Sequence, residues 1–157
     1  MPVPVTRLTR PEDLPALLAL FESSEVSAAA EPVERAEQIW RDMLASSHIF
    51  TFVRALDMQI VATCTLITAP NLLRAGRSHA FLENVVAHPD HRGLGHGRSV
   101  VTAALDHAWQ SDCHHVLMQS GRADPRVHLF YEGLGFRPGL RTAYVAMRPG
   151  PPTARAP

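Results

Sequence analysis

The sequence predicts an α/β fold, with one mixed sheet of six to seven strands flanked by about four helices. Three observations carry this. Short runs of β-branched and aromatic residues are interleaved with segments whose apolar residues recur at helical spacing. There is no internal repeat and no linker-like stretch. At 157 residues the chain is long enough to bury one core and too short for two of ordinary size. Residues 1–148 are therefore expected to form one domain, and 149–157, with four prolines, a disordered tail.

The elements follow in order. Val3–Leu8 alternates well enough for a first strand. Leu14, Leu17, Leu18 and Phe21 fall at i, i+3, i+4 and i+7, the apolar stripe of a first helix. Asp13 is its expected cap, which puts Pro15 in the first turn, where a missing N–H is harmless. Residues 23–31 are small and polar and read as a loop. Pro32 opens a second helix to about Ala45, carried by Val33, Ala36, Ile39, Trp40, Met43 and Leu44. His48–Arg54 and Met58–Thr68 are apolar and β-branched, and the short break at Leu56-Asp57 suggests a hairpin. Pro70–Arg77 is a loop and Ser78–His88 a fourth strand. Beyond Pro89–Gly97, a helix buries Val100, Val101, Ala104, Leu105 and Ala108. Val116–Met118 is a short strand, Asp124–Leu134 a helix stopped by Gly135, and Phe136–Met147 holds one or two final strands.

Composition removes several classes of function. Fifteen basic residues balance fifteen acidic ones, so no net field draws the chain to nucleic acid or to a membrane surface. No window approaches a membrane span and MPVPVTRLTR lacks a signal-peptide core, which makes a cytoplasmic location the expectation. Cys64 and Cys113 lack a CxxC or Cys/His spacing, and a reduced structural role is expected over a disulfide. None of the nine histidines forms an HxxxH pair on a helix or joins a carboxylate cluster, so no metal site is expected.

The most informative stretch is ENVVAHPDHRGLGHGRS, residues 83–99, where a strand runs into Arg92-Gly93-Leu94-Gly95-His96-Gly97 and then a helix. The first amides of a helix are unpaired, and its dipole favours negative charge there. Glycines let the backbone approach an anion and take turns that a Cβ would obstruct. Arg92 and Arg98 add positive charge, so Gly93–Ser99 is built to hold a phosphate or pyrophosphate. A P-loop would need GxxxxGK before Ser or Thr, and a dinucleotide fold GxGxxG just after the first strand. The glycines here are spaced GxGxG at mid-chain, and the region has no lysine.

At these residues the sequence resembles the GNAT superfamily of acyl-CoA-dependent N-acyltransferases. Arg92, Gly95 and Gly97 match its pyrophosphate motif, and Val85-Val86 with His88-Pro89-Asp90 match the strand and turn before it. The stretch HLFYEGLGF, 128–136, resembles a second family motif, and the order of elements agrees over about 3–148. The resemblance implies a mostly antiparallel sheet whose fourth strand bulges near Val85-Val86 and splays from the fifth. The pantetheine of acetyl-CoA would lie in the gap against the backbone of Val85 and Val86. Its diphosphate would rest on the amides of Arg92, Gly93, Leu94, Gly95, His96, Gly97 and Arg98, where Ser99 closes the first turn. His96 is expected to act only through its backbone.

Acylating an amine needs a neutral attacking nitrogen and a proton for the departing thiolate. By the second motif Tyr131 is the candidate general acid, a phenol protonated at neutral pH. Glu83, on the strand leading to the acetyl site, is the candidate base, or else a substrate ligand or arginine partner; an acid in a half-buried strand is otherwise costly. Asn84 should point to the opposite face of a regular strand. Many relatives carry an asparagine where this chain has Ser120–Pro125; Arg122 or Ser120 is the candidate replacement, while Asp124 and Pro125 read as a helix start. Trp40 and Trp109 fall on core stripes. The expected acceptor is a small-molecule amine, with a protein N-terminus or lysine as the alternative and a non-catalytic acyl-CoA-binding module as the third reading. Loops 23–31 and 70–79, with Arg74 and Arg77, would cap a pocket suited to a small, anionic amine, and a homodimer is expected on the resemblance alone.

Overall fold

A computed structural model of the protein describes residues 2–24 and 26–150. The elements are β1 (Val5–Leu8), α1 (Leu14–Ser23), α2 (Val33–Ala45), β2 (Ile49–Leu56), β3 (Gln59–Ala69), β4 (His79–Ala87), α3 (His96–Gln110), β5 (Val116–Met118) and α4 (Pro125–Glu132). The strands lie side by side in chain order; β1 to β4 are antiparallel, and β5 runs parallel to β4.

The local chemistry explains most of these boundaries. Leu56 pairs with Gln59, so Asp57-Met58 is the two-residue turn, with Asp57 at φ 53° as such hairpins require. Asp13 stands at the start of α1 without capping it. Its carboxylate turns back instead, accepting from Arg7 Nη1 (2.7 Å), Arg7 Nη2 (2.9 Å) and the Arg10 amide (2.7 Å). The bond from the Arg7 guanidinium is the main cause holding this buried carboxyl below its ordinary range.

Two cores sandwich the sheet. Leu17, Leu20 and Trp40 of α1 and α2 pack on Val53, Ile60 and Val86. On the other face Val100, Val101, Ala104 and Ala108 of α3 cover Phe52, Ala62, Cys64, Leu66 and Leu82. Helices on both sides explain why Ile60–Leu66 of β3 is buried without alternation. Both cysteines are buried and free. No described helix is long and apolar enough to cross a membrane.

Two expectations need correction. The described residues form five strands rather than six to seven, because Phe136–Met147 adds none. Gly135 (φ 92°) ends the turn after α4, and the Phe136 amide bonds back to Tyr131 O at 3.2 Å. Pro138-Gly139, with Gly139 at φ 76°, then turns the chain, and the far edge of β5 has no described partner. Leu140, Tyr144, Val145 and Met147 are all exposed. Trp109 is also exposed rather than core, since its side of α3 faces a cavity. Of the expected disordered tail, residues 151–157 lie outside the described residues.

Candidate active site

The gap expected between the fourth and fifth strands is present. β4 and β5 pair only over Ala80–Leu82 and Val116–Met118, after which β4 continues without a described neighbour on that side. Against β3 its register slips: Glu83 faces Thr65 and Val86 faces Thr63, so Asn84 and Val85 together oppose Cys64. This is a β-bulge with Asn84 at φ 51°, one residue ahead of the expected place. The bulge removes the regular alternation assumed for Asn84; both Glu83 and Asn84 are exposed. Val85 packs with the α3 core and Val86 with the α1–α2 core, leaving the main chain between them to face the gap. A cleft of about 360 Å³ fills it, bounded by Glu83, Val85, Val86, Gln119, Tyr131 and the Val26–Ala29 loop.

The glycine-rich loop lies outside the lining of that cleft, a few residues further along the same chain segment. Gly93 and Gly95 have φ of 77° and 81°, which glycine takes without strain. The first α3 bond runs from the Ser99 amide to Gly95 O (3.0 Å), so the amides of His96, Gly97 and Arg98 precede it, open to an anion. Gly97 stands beside Phe130: a Cβ there would be in ordinary contact with the ring, at 3.5 Å. Arg98 does not simply add charge, because its Nη1 donates to Gly133 O (3.1 Å) at the end of α4. Arg92 and Leu94 are exposed. His96 is more than a spacer: its ring is buried, and burial, then Arg54 and His91, lower its pKa.

Tyr131 packs edge-on against Phe130 and Phe136 (centroids 5.0 and 5.8 Å). Burial raises the pKa of its phenol, Cys64 adds to this and Arg122 opposes it. The phenol is therefore protonated at neutral pH and available to an incoming group. Glu83 lines the same cleft but is exposed, so the burial cost argued from the sequence does not apply, and its access to water suits a group that exchanges protons. Cys64 Sγ donates to Val100 O (3.3 Å), and burial pushes the thiol up to about 12, which removes it as a nucleophile.

A second cavity, about 920 Å³, shares Glu83 and Tyr131 with the first. Its wall includes Arg74, His115, Arg137 and Arg141. Arg137 and Arg141 were missed because they fell inside expected strands; they stand on either side of the Pro138-Gly139 turn. Arg122 borders the smaller cleft, its carbonyl 2.9 Å from the His128 ring and its amide bonded to Ser120 Oγ at 3.3 Å. Asp124 caps α4 as expected, accepting from the Arg126 amide at 2.9 Å. No group of three or more metal-ligating side chains occurs among the described residues.

A family model described as "Acetyltransferase (GNAT) family" matches residues 14–136. A putative acetyltransferase from Agrobacterium tumefaciens str. C58 superposes with a TM-score of 0.85 at 38% identity, covering 92% of this chain and 99% of that one. A Trypanosoma brucei acetyltransferase superposes with a TM-score of 0.79 at 26% identity, covering 92% and 100% of the two chains. A glucosamine 6-phosphate N-acetyltransferase of Trypanosoma brucei brucei is 32% identical over 79 residues, 50% of this chain and 52% of that protein. The chain thus spans about half the length of that curated relative.

Proposed function

The chain belongs to the GNAT acetyltransferase family, and from that footing we propose that it transfers the acetyl group of acetyl-CoA to the primary amine of a small-molecule acceptor. The observation that carries this reading is the meeting of two cavities at Glu83 and Tyr131, beside the unpaired side of β4. Acetyl-CoA enters along β4, its pantetheine bonding the main chain at Val85 and Val86 as an added strand would. Its diphosphate rests on the amides of Gly93–Arg98, with Arg92 beside it and Ser99 closing the turn. The acceptor comes from the larger cavity, whose arginines suit a phosphorylated or otherwise anionic amine.

Chemistry then needs three proton movements. Glu83, through water, takes the first proton of the ammonium, and the neutral nitrogen attacks the thioester carbonyl. As the C–N bond forms and the C–S bond breaks, Tyr131 protonates the departing thiolate, and the second proton of the nitrogen passes through water to the Tyr131 phenolate, leaving the neutral amide and the free thiol. No covalent enzyme intermediate is involved. Residues 1–148 act as one unit in this reading. A homodimer joined through the free β5 edge is proposed with it, supported by the exposed Leu140, Tyr144, Val145 and Met147. Sedimentation should show twice the chain mass; a monomer at all concentrations removes the dimer.

The activity is tested by following free thiol released from acetyl-CoA across a panel of amines. Hexosamine phosphates, suggested by the trypanosome relative, should outrun their unphosphorylated forms and free-N-terminal peptides. Tight acetyl-CoA binding with no turnover on any amine would mark a binding module instead. Glu83→Gln should cut turnover about ten- to a hundredfold at neutral pH and recover as rising pH deprotonates the acceptor itself. Unchanged neutral-pH turnover removes Glu83 as the base.

A further inference from the structure

Among the ion pairs of the described residues, Arg7, Arg77 and Arg126 each have an aspartate; Arg54 has none. Its Nη1 donates to Thr6 Oγ1 (2.9 Å), and its Nε is buried without any partner. This guanidinium has no carboxylate paired with it among the described residues.

Its place in the fold suggests a partner. Phe52 pairs with Cys64, whose Sγ bonds Val100 O at 3.3 Å, so this level of the sheet lies under Val100 of α3. Phe50 and Phe52 both meet the His107 ring, at 4.2 and 5.8 Å, so β2 runs toward the helix N-terminus. Arg54, two residues beyond Phe52 on the same face, lies about 6.6 Å further along. One helical turn, about 5.4 Å, leads from Val100 back to His96. Arg54 therefore stands at the level of the first turn of α3, where the amides of His96, Gly97 and Arg98 are open. The lowered pKa of His96, to which Arg54 contributes, agrees with this placement.

We propose that Arg54 is a half-buried positioning residue for the nucleotide end of the donor: its unpaired charge supports phosphates on the Gly93–Arg98 amides from below. It thereby sets the preference for a phosphate-bearing thioester over a phosphate-free one. This inference rests on the reading of that loop as the diphosphate site. Arg98, tied to Gly133, contributes less of its charge there than the letters suggested.

The test compares coenzyme A with pantetheine, which lacks the phosphates, by calorimetry on the full chain. Arg54→Met should weaken coenzyme A binding about 5- to 30-fold, flatten its salt dependence and leave pantetheine affinity within about twofold. Arg54→Lys should restore most of the loss. Arg54→Gln carries the same comparison if the methionine variant does not fold. A folded variant that keeps the full preference for coenzyme A, or loses both ligands equally, overturns the role of Arg54. Native protein with no preference for coenzyme A over pantetheine overturns the diphosphate reading itself, and this inference with it.

Discussion

Tyr131→Phe is expected to lower turnover by about ten- to a thousandfold while acetyl-CoA still binds within a few-fold. The substitution removes one oxygen and keeps the ring, so the edge-on contacts with Phe130 and Phe136 survive. What disappears is the proton for the thiolate. The pH profile gives an independent reading. Burial raises the phenol, so the protonated form persists through neutral pH, and native turnover should fall only as pH rises past the ordinary tyrosine range. The phenylalanine variant should lack that alkaline limb. A variant with native turnover and an unchanged alkaline limb removes Tyr131 as the acid.

Gly95→Asp should abolish measurable cofactor binding, a loss of more than about a hundredfold. The result is informative because the effect is not steric: a Cβ at Gly95 meets nothing within 4 Å. The backbone φ of 81° is one that Asp and Asn tolerate better than other side chains. Gly95→Asn therefore serves as the neutral control and should cost less than about tenfold. Calorimetry with coenzyme A on both variants isolates the charge. Equal affinities in the two would show that no phosphate lies at that turn.

The site was legible where function makes a demand on the main chain. Gly93 and Gly95 stand out in the letters because only glycine takes their φ freely, and the bulge near Val85-Val86 followed from the family pattern. Helix faces were legible for the same local reason: Val100, Val101, Ala104 and Ala108 repeat at the helical period and are buried. What was not legible depends on distant partners. Phe136–Met147 has strand-like residues, but a strand needs a neighbour, and after Pro138-Gly139 the segment pairs with none in the described chain. The exposure of Glu83 follows from the splay of β4 from β5, a property of two strands rather than of one. Arg54 looked like any strand arginine, because its missing counter-ion shows only when the surroundings are assembled.

Phe130 lies beside Gly97, and the Arg98 guanidinium clasps Gly133, so the segment bearing the phenol is tied to the segment bearing the glycine-rich loop. On the proposed reading, anchoring the adenine-side tail of a donor would brace the far end of the molecule where bonds change. Grip and reactivity would then share one mechanical strut, and a truncated donor would forfeit alignment along with affinity.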